Sequence, residues 1–244
     1  MKFGIKNVVK IIANGLFPPR CRGCGASGEY LCDCCKKYIS ENMKARQVGN
    51  MSGGLTAEYL GFRDEILGEL IEEAKYESVR GLLPEIAEVV YAGYFEKYVT
   101  ENDVGSLILV PMPTSRQHVR ERAIDHMNRI VLEIERLSDN KIQHTRLLER
   151  AKDTVQMGAN VVLRKKQAKE AVKINPQFVS DDGKINLEYR SAKVVLIDDV
   201  WTTGSSLIEA GKILKEAGVK NLKLVAITKS RARRSPTLRH GEIY

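Results

Sequence analysis

The chain has 244 residues, 43% hydrophobic and 29% charged, with 39 basic against 31 acidic side chains and a formal charge of +8. That is the composition of an ordinary water-soluble globular protein, long enough for one α/β domain and a small module. No apolar run approaches the roughly 18 residues of a membrane-spanning helix, and the positive balance suits polyanionic ligands without proving them.

At the front, Ile5, Val8, Val9, Ile12 and Leu16 fall at helical spacing with Lys2, Lys6 and Lys10 among them. This predicts a short amphipathic helix rather than an export signal, so a cytoplasmic location is expected. Leu16-Phe17-Pro18-Pro19-Arg20 reads as extended chain. All five cysteines follow within positions 21–35. Cys21-x2-Cys24 and Cys32-x2-Cys35 have the spacing of a four-thiolate structural zinc site, Gly23 and Gly25 relax the first knuckle, and Cys34 is left over as a substitute ligand. Disulfides are the competing reading, but reduced thiols are expected in a chain without an export signal. No histidine sits in the segment to support a catalytic zinc.

A Gly/Ser-rich break at 50–54 marks a boundary, giving expected units of 1–50, 51–230 and a basic, flexible tail at 231–244. Residues 58–62 read as a strand and 64–76 as a helix with Ile66, Leu67, Leu70, Ile71 and Ala74 on one face. Residues 82–98 form a second amphipathic helix, with Pro84 tolerated in its first turn. Both helices are expected to pack on the sheet and to bind nothing. A strand at 106–110 ends in Pro111-Met112-Pro113, followed by Thr114, Ser115, Arg116 and Arg120. The helix at 125–137 carries His126, read as an ordinary surface or half-buried residue. Residues 141–170 are rich in Lys and Arg, including Arg150 and Lys152, and read as a solvated hairpin or helix.

The most informative stretch is 194–207, Val-Val-Leu-Ile-Asp-Asp-Val-Trp-Thr-Thr-Gly-Ser-Ser-Leu. A buried strand ends in Asp198 and Asp199, a loop of hydroxyls and glycine follows, then a helix at about 206–217 stopped by Gly218 and a second strand at 222–228. Open α/β sheets bind ligands at such strand ends. Thr202, Thr203, Ser205 and Ser206 offer hydroxyls, Gly204 lets the backbone approach, and the helix start favours an anion. The loop therefore suits a phosphate, and the aspartates suit a sugar diol or a divalent cation.

The string Asp198-Asp199-Val-Trp-Thr-Thr-Gly-Ser-Ser resembles the phosphoribosyl pyrophosphate (PRPP) signature of type I phosphoribosyltransferases. The Cys pairs placed before it, the Lys75-Tyr76 pair, the Val-Pro-x-Pro strand end and the Leu147–Gln156 segment resemble the ComF family of competence-associated proteins. The resemblance implies an open, mostly parallel sheet flanked by helices with a small N-terminal zinc module. It implies that Asp198 and Asp199 hold the ribose hydroxyls and act as the candidate catalytic pair. Thr202, Thr203, Gly204, Ser205 and Ser206 would hold the 5′-phosphate, and Arg116, Arg120, Arg150 and Lys152 with Mg²⁺ the pyrophosphate. The chain departs from ComF where Ala123 and Asp125 replace a glycine and an asparagine; Asp125 would repel pyrophosphate unless it faces elsewhere or binds a metal. Three functions are therefore expected: phosphoribosyl transfer to an acceptor that the sequence does not name, PRPP sensing without turnover, or contact with single-stranded DNA or a helicase-like competence protein through the Cys module and basic segments.

Overall fold

The computed structural model describes residues 18–49, 54–75, 81–100, 107–114, 125–150 and 172–231. In chain order these form α1 (Asp33–Asn42), β1 (Arg46–Gln47), β2 (Thr56–Phe62), α2 (Ile66–Ala74), α3 (Leu82–Val90), α4 (Lys97–Thr100), β3 (Leu107–Pro111), α5 (His126–Leu137), β4 (Ile142–His144), β5 (Leu148–Arg150), β6 (Val172–Ile174), α6 (Leu187–Ser191), β7 (Lys193–Trp201), α7 (Ser205–Glu216) and β8 (Asn221–Lys229). The predicted N-terminal helix, the residues Tyr76, Ser115, Arg116, Arg120, Ala123 and Lys152, and the tail beyond Arg231 lie outside the described residues.

Six strands make one sheet in the order β1-β2-β8-β7-β3-β4. Among the described residues of this sheet, only β1 runs antiparallel to its neighbour. β3 and the centres of β7 and β8 are nearly continuous apolar runs, as expected of strands covered on both faces. Their alternation sorts side chains into two cores. Leu60, Leu107, Leu109, Val195, Ile197, Val225 and Ile227 pack with α1, α2, α3 and α5. Ile108, Val110, Val194, Leu196, Leu224 and Ala226 pack with α7 and the antiparallel β5–β6 pair. The α/β class and mostly parallel sheet expected from the sequence are present.

Three boundaries differ from expectation. The helix predicted over 82–98 is divided. After α3 the turn widens at Tyr91–Phe95, where Glu96 N–H donates to Tyr91 O at 2.9 Å. Gly93 in this turn lies so close to α1 that an added Cβ would stand 2.9 Å from Met43 Sδ. The strand predicted at 194–197 continues to Trp201, because β8 pairs with it as far as Trp201 opposite Lys229. Both aspartates therefore belong to the strand itself. Finally, α7 begins at Ser205, directly after Gly204.

The Cys segment is docked on the first core. Cys21, Leu31 and Ile39 bury into the same cluster as Leu67, Leu70 and Val90. Arg22 pairs with Glu73 of α2 at 2.8 Å, and Lys36 pairs with Glu88 of α3 at 2.9 Å.

Candidate functional site

Three elements meet at the carboxyl ends of β3 and β7: the loop into α7, the acidic pair, and a wall formed by the Pro-Met-Pro turn and β5. Gly204 sits at φ +76°, and a Cβ there would fall 2.0 Å from the Trp201 ring. Only glycine fits so tight a turn over a buried indole. Thr202, Thr203, Ser205 and Ser206 are exposed around it. Ser205 N–H donates to Thr203 Oγ1 at 3.4 Å, so the hydroxyls cluster at the start of a twelve-residue helix. Its first backbone N–H groups have no helical acceptor and carry the positive end of the helix dipole, a setting for an anion.

Because side chains alternate along a strand, Asp198 and Asp199 leave β7 on opposite faces. Asp199 turns toward α2 and α5. Its Oδ2 lies 2.9 Å from Lys75 Nζ and accepts from His126 Nε2 at 3.1 Å. Lys75 also donates to Glu72 at 2.8 Å. Thr228 Oγ1 donates to the Asp199 carbonyl at 3.0 Å and fixes the backbone from β8. Burial pushes the Asp199 carboxyl up, but the His126 hydrogen bond and the Lys75 charge outweigh it and hold the group well below the usual carboxylate range. Asp198 faces the second core. Burial first, and then the adjacent Asp199 charge, push its carboxyl up to about 8, with Arg150 opposing. Their surroundings thus push the two carboxyls of the pair in opposite directions.

The wall encloses a cavity of about 280 Å³ lined by Pro111, Pro113, Thr114, Asp125, Arg146, Arg150 and Asn175, among others. Arg150 Nε donates to Pro113 O at 2.7 Å, and Met112 N–H donates to Ile197 O at 2.8 Å, tying the turn to β7. Asp125 faces the protein. It caps α5 by accepting from Asn128 N–H at 3.2 Å and from Thr114 Oγ1 at 3.1 Å, and Arg146 stands 3.8 Å away. The repulsion that the sequence raised for Asp125 is therefore met by an α5 cap and a neighbouring guanidinium. The structure brings Asp198, Asp199, Arg150 and the loop from Thr202 to Ser206 to one end of the sheet. Arg116, Arg120 and Lys152 lie outside the described residues.

Two residues of the site were not anticipated. His126, read as ordinary, is 4% exposed and on Asp199, and Lys75, at 9% exposed, ends a helix from which no binding role was expected. The signal was faint: Lys75 belongs to the Lys-Tyr pair that the ComF resemblance had marked, whereas His126 lies 73 positions from its partner and carries no local cue.

Some distance along the first core, Cys21, Cys24, Cys32 and Cys35 have their sulfurs within 4.8 Å of one another. A tetrahedral zinc with Zn–S about 2.3 Å holds sulfurs about 3.8 Å apart, so the four thiols fit such an ion. Cys24 and Cys32 sulfurs are already 3.6 Å apart, and Cys32 N–H points at Cys21 Sγ at 3.3 Å. Burial raises the Cys21 thiol, but N–H donors from Cys32, Cys24 and Gly23 prevail and bring it down to about 6. Burial and then the neighbouring thiols push Cys35 the other way. Gly23 is required by the packing, since a Cβ there would lie 2.6 Å from Cys35 Sγ. Cys34 is exposed and outside the cluster. Among the described residues, no helix is long and apolar enough to cross a membrane.

Known proteins with some similarity to this chain include three solved structures and one family profile. Solved structures similar to this chain include a purine phosphoribosyltransferase from Pyrococcus horikoshii Ot3, at 14% identity over 71% of this chain and 77% of that one, with a TM-score of 0.32. An adenine phosphoribosyltransferase from Trypanosoma brucei matches at 12% identity over 80% and 67% of the two chains, with a TM-score of 0.35. The corresponding enzyme from Giardia lamblia matches at 12% identity over 81% and 98%, with a TM-score of 0.35. Among curated proteins none matches. Residues 150–240 match the profile of the phosphoribosyl transferase domain family, and this stretch takes in Arg150, both aspartates and the whole loop into α7.

Proposed function

We propose that this chain binds PRPP, as its Mg²⁺ complex, at the carboxyl ends of β3 and β7, and transfers its phosphoribosyl group. The observation that carries the reading is the acidic pair of β7 running directly into a glycine turn and the N-terminus of α7. The backbone N–H groups and hydroxyls of Thr202, Thr203, Gly204, Ser205 and Ser206 take the 5′-phosphate. Asp198 and Asp199 take the ribose hydroxyls. Arg116, Arg120, Arg150 and Lys152 neutralise the pyrophosphate, whose charge grows as it leaves. In the transfer, the bond from ribose C1 to the pyrophosphate oxygen breaks with its electron pair going to that oxygen. An acceptor lone pair then forms the new bond to C1 of a cation-like sugar, and a nearby carboxylate stabilises that cation.

The order of the Cys pairs before this loop supports assigning the chain to ComF type. On that assignment residues 1–50 form a zinc module, 51–230 the transferase domain and 231–244 a basic tail, in a cytoplasmic protein connected with uptake of transforming DNA.

The reading is tested by calorimetric titration of PRPP with Mg²⁺ into wild type and the Asp198→Asn/Asp199→Asn variant. Binding by wild type that is lost in the variant is expected. Equal affinity in both would show that the site is wrongly assigned.

A further inference from the structure

The clamp on Asp199 joins three elements that are far apart in the chain. Lys75 follows the last residue of α2, His126 opens α5, and Asp199 lies near the end of β7. Both donors meet the same oxygen, Oδ2, at 2.9 and 3.1 Å. Lys75, with 11% of its side chain exposed, and His126, with 6%, are nearly removed from water. Burying two such groups is costly unless they are paired, and an acid that served only as a solvated ligand would need neither. His126 adds a second sign of purpose. Its Nδ1 is buried with no hydrogen-bond partner among the described residues. A proton on Nε2 is what the contact with an ionised carboxylate requires.

We infer that Lys75 and His126 are positioning residues, which fix the Asp199 carboxylate through Oδ2 so that Oδ1 meets a hydroxyl of the ribose diol. The inference rests on the PRPP reading above and deepens it, because it divides the labour within the acidic pair. Asp199 is the ionised, rigidly held acceptor of a sugar O–H. Asp198, on the other face and near Arg150, is the acid whose protonation is set by burial. The groups around Asp199 are Lys75 from α2, His126 from α5 and Asp198 from its own strand, with Glu72 behind Lys75. A carboxylate held from behind by two donors cannot swing away from a bound sugar, so its hydrogen bond to the diol costs no reorganisation. Selectivity for a ribose over a deoxygenated sugar is the expected consequence.

The test uses two probes with closed rings, methyl riboside 5-phosphate and its 2,3-dideoxy counterpart, on wild type, Lys75→Met and His126→Gln. The full-length protein is used, and circular dichroism melts establish that each variant is folded. PRPP titration of wild type comes first, and failure to bind overturns the PRPP reading together with this inference. Once PRPP binding has been established, wild type free of PRPP is expected to prefer the riboside by about tenfold or more, the scale of one charge-assisted hydrogen bond. Both variants are expected to lose most of that preference while binding the dideoxy probe as wild type does. No preference in wild type overturns the inference and, with it, the assignment of the ribose hydroxyls to the aspartates. Two outcomes leave the PRPP reading standing and overturn the inference alone: an undiminished preference in both variants, or an equal loss of affinity for both probes. The last is what a merely structural role would give. Where one variant does not fold, the other carries the same comparison.

Discussion

The four-cysteine cluster and the acidic pair of β7 are both groups of like character forced together, and they relieve the crowding differently. The thiols have backbone N–H groups around them, but no lysine or arginine among the groups that shift Cys21 and Cys35. The relief they are shaped for is a cation between four sulfurs. The aspartates carry their own relief. Asp199 has Lys75 and His126, and burial pushes the Asp198 carboxyl up, toward its uncharged form. A site that leaves its compensation to an ion is one whose fold depends on that ion. A site that builds it in is rigid before any ligand arrives.

Removing metal is accordingly the strongest way to break the first region. Protein purified without chelator is expected to hold one equivalent of zinc. Stripping it should lower the melting temperature by about 10 °C or more, because Cys21, Leu31 and Ile39 are part of the main core. Metal analysis showing less than half an equivalent, with disulfides intact, would end the zinc assignment. The second region has a backbone counterpart. Gly204→Ala must place a Cβ 2.0 Å from the Trp201 ring at φ +76°, which should cost about 3 kcal/mol and at least tenfold in PRPP affinity. An unchanged denaturation midpoint would mean the turn is not constrained as described.

The same contrast explains what the sequence disclosed. The four clustered cysteines lie within one short segment, so spacing alone exposed them. The strand, the Asp pair and the glycine turn are also contiguous, and their order was legible down to the need for glycine at 204. The strand ends were not, since β7 reaches Trp201 only because β8 is there to pair with it. The clamp was least legible of all. Lys75 and His126 acquire meaning from the sheet order, which sets the ends of α2 and α5 against β7. No window of sequence contains that neighbourhood. Asp125 shows the converse: its charge invited a ligand reading, and its neighbours Asn128 and Thr114 make it a helix cap.

Removing the built-in cation sharpens the comparison. Lys75→Met strands a carboxylate that is 17% exposed, and should destabilise the protein by about 2–3 kcal/mol at pH 7. Asp199 has its folded pKa depressed, so its pairing stabilises the fold above the unfolded value near 4 and loses that contribution as pH falls below it. The gap between wild type and variant in urea denaturation should therefore narrow as pH drops from 5 toward 3. A gap that stays constant over that range would place the effect in packing rather than charge.

Asp198 gives the smallest effect, of opposite sign. Its folded pKa is raised from 3.8 to about 8, so between those values the folded protein binds a proton that the unfolded chain has released. Wild type must then lose stability as pH rises through that window. Asp198→Asn keeps the shape and has no proton to lose. It should match wild type at pH 4–5 and exceed it by about 1–2 kcal/mol at pH 8–9, once the coupling to Asp199 and solvent relaxation are allowed for. The variant should also bind PRPP more weakly, which would make the stability gained a measure of what the site gives up to keep an acid there. Parallel pH profiles for the two proteins would instead mean that Asp198 ionises freely, and that both members of the pair, not Asp199 alone, are compensated by the cations around them.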